Sequence, residues 1–297
     1  RTLFQETIVR MLRILPVERL RAVTGAPWSS LVAHQAREVA GPFENLIVTE
    51  PTMRSTAPAI LLGCESLRES GAGDGDIVIV TPSDHIVRDS DAFASALERA
   101  AEAAAEGYLA TLGIVPDRPD TGFGYIRTGA ERGAWFEAEA FVEKPDLDTA
   151  REYLRSGTYL WNGGVFVFSL GSLQRELERT APDLAALAGR GTAALAGDFE
   201  VIEPVSFDCA VMERARRVAV VPLDAGWSDV GSWDALHEVS DRDDRGNATI
   251  GDVTLRNASD CFVDSRNRLT VLSDVEGLIV VDSPDALFVT RRRASQG

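Results

Sequence analysis

Two aspartates sit where an α/β sheet presents groups to a ligand. Asp84 follows the apolar run Ile77-Val-Ile-Val80 in Thr81-Pro-Ser-Asp-His85, and Asp229 lies in Gly226-Trp-Ser-Asp-Val-Gly-Ser-Trp233, beyond the run Val218–Val221. Ligands of open α/β sheets bind at the carboxyl ends of strands. Two carboxylates from separate strand ends suit a hydrated Mg²⁺ shared with substrate phosphates. A turn residue at Asp84 and a helix cap at Asp229 are the plainer alternatives. A third feature is Phe141-Val-Glu-Lys-Pro145. Of the 30 basic residues, 29 are Arg and only Lys144 is Lys, which marks a place for a compact ammonium rather than a planar guanidinium. Glu143 can accept hydrogen bonds from vicinal sugar hydroxyls and Lys144 can neutralise a phosphate; an exposed ion pair ahead of a turn is the rival explanation. In Trp161-Asn-Gly-Gly-Val-Phe166 the glycines allow close approach to the backbone, and Asn162 adds a donor and an acceptor. A plain β-bulge accounts for the same residues, and Gly122-Phe-Gly-Tyr125 carries the same ambiguity.

Other chemistries lack their residues. There is no Gly-x-x-x-x-Gly-Lys, and Arg127 stands where a dinucleotide fingerprint beginning at Gly122 needs its third Gly. His34, His85 and His237 are isolated, and no Ser-hydrolase elbow occurs. A net charge of −16 argues against a nucleic-acid partner. Cys64, Cys209 and Cys261 are odd in number and widely spaced, so a reducing, cytoplasmic setting is expected rather than a disulfide framework or zinc site. The apolar runs are far shorter than the ~20 residues of a membrane span, and no signal peptide is read at Arg1.

The elements that must position these groups follow from periodicity. Residues 3–14 have helical spacing, and 91–106 reads as a helix capped by Asp91 and stopped at Gly107. Apolar runs at 46–49, 77–80, 109–115, 165–168 and 218–221 read as strands of a sheet covered on both faces. Their alternation with helices predicts an α/β core over 1–240 with a mixed, mostly parallel sheet. The Ala/Gly-rich segments 66–75 and 181–200 read as surface connections. Beyond the polar hinge 241–247 only short strands recur (253–255, 261–263, 269–272, 278–281 and 286–289), giving a small all-β tail over 241–297.

In order along the chain, Arg54-Ser-Thr-Ala-Pro-Ala-Ile60, Pro82-Ser-Asp-His85, Thr121-Gly-Phe-Gly-Tyr-Ile126, Phe141-Val-Glu-Lys-Pro145, Trp161-Asn-Gly-Gly164, Asp208-Cys-Ala-Val-Met-Glu213 and Trp227-Ser-Asp-Val-Gly-Ser-Trp233 together resemble the mannose-1-phosphate guanylyltransferases, within the sugar-phosphate nucleotidyltransferase superfamily. The resemblance spans essentially the whole chain and implies a Rossmann-like core, a short left-handed β-helix as tail, and transfer of GMP from GTP to mannose 1-phosphate. It implies Asp84 and Asp229 as Mg²⁺ ligands and Lys144 as the sugar-phosphate contact. Glu143 and Asn162 become sugar-hydroxyl contacts, Gly124 a backbone contact to the sugar, and His85 part of the substrate site. Arg54, Ser55, Thr56, Ala57 and Pro58 match the segment near the guanine base. Ser55 stands where the family usually has Asn, Met53 where it has Gly, and Gly163 where it has Ser. Another nucleotide or sugar phosphate, or a non-catalytic regulatory paralogue, therefore stays open. The family opens with a strand and a Gly-rich triphosphate loop, whereas Arg1–Glu6 matches the helix after that loop; an incomplete chain is the expectation. No isomerase domain follows, as in the family's single-function form, and a homodimer is a further expectation.

Overall fold

The structure, a computed structural model, describes residues 1–294. Its strands are β1 (Ala22–Gly25), β2 (Ile47–Glu50), β3 (Ile77–Val80), β4 (Ile86–Val87), β5 (Leu109–Ile114), β6 (Tyr125–Glu131), β7 (Phe136–Val142), β8 (Tyr159–Ser169), β9 (Val218–Leu223), β10 (Trp227–Ser228), β11 (Ala248–Ser259), β12 (Phe262–Glu276), β13 (Leu278–Asp282) and β14 (Leu287–Arg291). The helices are α1 (Leu3–Met11), α2 (Ser29–Ala40), α3 (Thr56–Glu69), α4 (Ser90–Ala105), α5 (Leu147–Ser156), α6 (Leu170–Thr180), α7 (Pro182–Ala185), α8 (Thr192–Asp198) and α9 (Trp233–Val239). Among the described residues no helix is long and apolar enough to cross a membrane.

Two compact units form. The larger holds Arg1–Ser83 and Arg88–Ala225; the smaller holds Asp84–Val87 and the residues from Gly226 onward. The compact units divide at Ala225, where β4 and β10 pair with each other as an antiparallel ribbon of the smaller one.

In the larger unit the main sheet runs β3-β8-β5-β9-β7-β6, with β6 also pairing with β8. The expectation of a mostly parallel sheet is corrected here. Only β5–β9 is parallel in this sheet, and its other pairings are antiparallel. The reason is that β6 returns beside β7 without a helix, and β8 enters the sheet antiparallel to both β3 and β5. A separate parallel pair, β1–β2, lies at the N-terminal end.

Helix α4 packs a small-residue face built from Phe93, Ala96, Leu97, Ala100, Ala103 and Ala104. Their three- and four-residue spacing puts them on one side of a helix, and alanines allow close approach to a sheet. Asp89, not Asp91, is its cap, accepting from the N–H groups of Asp91 and Ala92. The segments expected as surface connections are partly helical. Residues 66–69 complete α3, while α7 and α8 bury Leu184, Ala185 and Leu195 in the core. The buried Glu65 carboxylate accepts from Gly189 and Gly191 N–H, both at 2.8 Å, which ties that stretch down.

In the smaller unit β11, β12 and β13 pair in parallel with no intervening helix, and β14 closes antiparallel. Ala248 pairs with Phe262 and Val253 with Thr270, so each pass of the chain lies beside the next. Ala248, Phe262 and Ile279, in adjacent register, are all buried. The close approach demands glycine at Gly251 (φ +89°), where a Cβ would meet the Ser265 carbonyl oxygen at 2.0 Å.

At the centre of the main sheet Gly113 has no room for a side chain: a Cβ would lie 2.6 Å from Val220 Cγ2 and 2.7 Å from Leu160 Cδ1. Gly113→Ala is expected to lower unfolding free energy by about 1–3 kcal/mol through overpacking. Urea titration checks this; an unchanged midpoint would show that the core relaxes around the extra methyl.

Candidate functional site

The register of three strands brings the sugar-contact candidates together. Tyr125 of β6 pairs with Val142 of β7 and with Trp161 of β8, both antiparallel. One residue further, Gly124 therefore adjoins Glu143 on one side and Asn162 on the other. The Asn162 N–H donates to the Gly124 carbonyl at 2.8 Å. A Cβ on Gly124 would lie 2.5 Å from Glu143 Oε2, so any larger residue would displace that carboxylate from its present place. Glu143 Oε2 is buried and lacks a hydrogen-bond partner among the described residues.

Asn162 is oriented on both ends of its amide. Its Oδ1 accepts from the Gly164 N–H and the Thr111 hydroxyl, both at 3.1 Å, and its Nδ2 donates to Asp208 Oδ1 at 2.7 Å. Beside it Trp161 is buried, with Phe123 against one part of its ring and the Arg118 guanidinium 5.1 Å from its centroid. Lys144 is exposed, with Nζ 3.7 Å from Glu143 Oε1. Burial, then the charge of Asp208, pushes the Glu143 carboxyl above the ordinary carboxylate range, against the pull of Lys144. Burial likewise raises Asp208, opposed by its hydrogen bond from Asn162.

In the smaller unit the β4–β10 register pairs Ser228 with Ile86. Continued by one residue, the register brings Asp229 level with His85, the residue that follows Asp84. The Asp84 side chain is 76% exposed, and its Oδ1 lies 4.0 Å from His85 Nε2. His85 Nδ1 accepts from the Trp227 indole N–H at 3.2 Å, which leaves the ring proton on Nε2, facing Asp84. Asp229 accepts from Gly231 N–H at 3.2 Å, while Ser232 is the residue that caps α9. The helix-cap alternative for Asp229 is thereby removed.

The segment 54–58 leads into α3. The Arg54 guanidinium donates to the carbonyls of Phe199 and Glu200, so it staples two parts of the chain. Thr56 Oγ1 accepts from Phe207 N–H at 2.8 Å, and Ala57 and Pro58 are buried. Their side chains face the core, because they open the inward face of α3. Only Ser55 and Thr56 are left at the surface in this stretch.

Backbone strain marks the same places. Outside the smaller unit's Asn and Asp turns, the non-glycine residues with positive φ are Ser55 (66°), Lys144 (47°) and Val230 (52°). Lys144 precedes a proline and Val230 is β-branched, and both circumstances disfavour this region. Such residues cost of order 1–3 kcal/mol each and cluster where function demands a particular geometry.

The family model described as nucleotidyl transferase matches residues 2–246. The chain belongs to the nucleotidyl transferase family. A mannose-1-phosphate guanylyltransferase of Klebsiella pneumoniae is 38% identical to this nucleotidyl transferase over 99% of this chain and 65% of its own length. One from Escherichia coli K12 is 37% identical over 99% of this chain and 64% of its own. The chain thus spans slightly less than two thirds of these curated relatives. A crystal structure from Thermus thermophilus, named as a mannose-1-phosphate geranyltransferase, superposes with a TM-score of 0.89 at 34% identity, over 99% of this chain and 86% of that one.

Sequence reasoning missed Thr111, Arg118, Asp208 and Glu213. Asp208 and Glu213 were visible in the motif 208–213 but had no assigned role, since nothing local to that motif reports its contact with residues 143 and 162. Because Glu143 holds its proton to higher pH in the folded state, stability falls as pH rises from the ordinary carboxylate value through the raised one. Glu143→Gln removes that term. Melting curves across this window should fall less steeply in the variant, and at neutral pH it should melt higher than wild type. A lower melting point at neutral pH would mean the ionised carboxylate stabilises the fold.

Proposed function

We propose that this nucleotidyl transferase moves GMP from GTP to mannose 1-phosphate, giving GDP-mannose and pyrophosphate. The reading is carried by the Gly124–Glu143–Asn162 cluster with Lys144 beside it, and supported by relatives named for that substrate. A phosphate oxygen of mannose 1-phosphate attacks the α-phosphorus of GTP in line. The bond to the bridging oxygen of the β-phosphate breaks and pyrophosphate leaves with its electron pair, without a covalent enzyme intermediate. Catalysis is then positioning and electrostatics. Lys144 Nζ neutralises the sugar phosphate. Glu143 accepts from sugar hydroxyls. Asn162 and the backbone at Gly124 complete the sugar contacts. His85 keeps Trp227 in place, and Ser55 and Thr56 supply what polar contact the 54–58 segment offers to the base.

Asp84 and Asp229 would hold a divalent cation, Mg²⁺ in this reading. Two carboxylates at one end of a ribbon suit a hard ion that keeps waters and substrate oxygens. Bound there, it would offset charge developing on the phosphates. As domains we assign residues 1–240 to the nucleotidyltransferase core, near the limit of the family match. The second domain, 241–297, is read as a short β-helix over its described residues, favoured by the parallel passes of β11, β12 and β13; residues 295–297 lie outside the described residues. We further assign the protein to the cytoplasm and to a homodimer.

Calorimetry of GDP-mannose with Mg²⁺, against GDP-glucose and UDP-glucose, tests the substrate. Tight binding of GDP-mannose alone supports the proposal, and preference for either control overturns it. Lys144→Ala should raise the KM for mannose 1-phosphate on the order of tenfold or more, as expected for a lost charged hydrogen bond. Lys144→Arg should not restore it, because the guanidinium fork cannot occupy a point-charge site. Asp84→Asn should cut turnover far more than it weakens sugar-phosphate binding; unaltered turnover would remove Asp84 from the reaction.

A further inference from the structure

Residues Asp208–Met212 form a π-helix, a winding that is rare and recurs at functional sites. Its defining bond runs from Glu213 N–H to the Asp208 carbonyl at 2.9 Å. In an α-helix, residues five apart point roughly 140° away from each other. The wider turn brings Asp208 and Glu213 back to one side, and that side faces the sugar-contact candidates. Asp208 Oδ1 accepts from Asn162 Nδ2 at 2.7 Å, and Glu213 Oε1 accepts from the Glu143 backbone N–H at 3.1 Å.

The Asn162 amide has no orientation of its own, since its oxygen and nitrogen are nearly the same size. The Gly164 N–H demands an oxygen on one side, and the Asp208 carboxylate demands a nitrogen on the other. Only one placement meets both. It also leaves a second Nδ2 hydrogen with a defined direction.

We propose that Asp208 is a positioning residue: it fixes the Asn162 amide, while Glu213 on the same π-turn fixes the backbone of Glu143, so that one helical turn sets both sugar contacts. Asp208 holds Asn162 and Glu213 holds the Glu143 backbone, so two of the three carboxylates gathered here are engaged with the candidate contacts.

This inference rests on the assignment of Asn162 and Glu143 as sugar contacts. Three proteins decide it: wild type, D208A and D208N. The amide oxygen of D208N can still accept from Asn162, so it is the conservative rescue. Relative to wild type, D208A should raise the KM for mannose 1-phosphate about tenfold to a hundredfold, as for loss of a charged hydrogen bond. The KM for GTP should stay within about twofold, and D208N should recover most of the difference. A merely structural role would move both KM values together with the melting point, and that result overturns the proposal. The ligand-free crystal structure of D208A gives a readout independent of activity. The Asn162 amide should turn or move off the Gly164 N–H; an amide in its wild-type position overturns the proposal whatever the substrate is. Failure of wild type to form GDP-mannose sinks the proposed reaction instead, and leaves the crystallographic result to decide the role of Asp208.

Discussion

The candidate sugar site depends on the antiparallel register of β6 with two neighbours at once. Tyr125 lies between Val142 and Trp161, and the next residue on each strand is Gly124, Glu143 or Asn162. A slip of one residue on any of these strands would send the side chains to the opposite face. The missing Cβ at Gly124 leaves the Glu143 carboxylate its present place, which a larger residue would make it vacate. Tyr125 and Ile126 are fully buried just inside this point, so the core itself holds the register.

A protein with a net charge of −16 cannot draw anionic substrates with its overall field. Attraction has to be local. Lys144, the single lysine, is exposed at the edge of the carboxylate cluster. Its positive φ ahead of buried Pro145 is a cost carried by the surrounding packing. The same holds for Ser55 and Val230, beside the segment expected near the base and beside Asp229. The backbone strain at these three positions lies at or beside candidate residues, while the other non-glycine residues of positive φ are the Asn and Asp turns that tolerate it.

The sheet shows why local pattern misleads about topology. Apolar runs at 109–114 and 218–223 are buried and parallel, as such runs suggest. Yet β8 is equally apolar and antiparallel to both of its long partners. Burial on both faces sets the composition of a strand; its direction is set by which strand the chain returns beside, which has no signature in the strand itself. The same limit applies to β4 and β10, two residues each, whose pairing places Asp84 with Asp229 in the smaller unit.

From sequence alone came the α/β class, the helices at 3–14 and 91–106, most of the central strands, the all-β end of the chain, and the residues Asp84, Asp229, Glu143, Lys144, Gly124 and Asn162 as candidates; α2, α3, α5 and α6 were not placed. Those readings rest on period, residue type and motif order, which are properties of short stretches. Tertiary structure decided which candidates meet. It placed Arg54 as a staple, turned Ala57 and Pro58 into the core, gave the cap of α9 to Ser232, and brought Asp208 to Asn162 across 46 residues of chain. Such contacts form only when packing fixes the register of several strands together, so no local pattern encodes them.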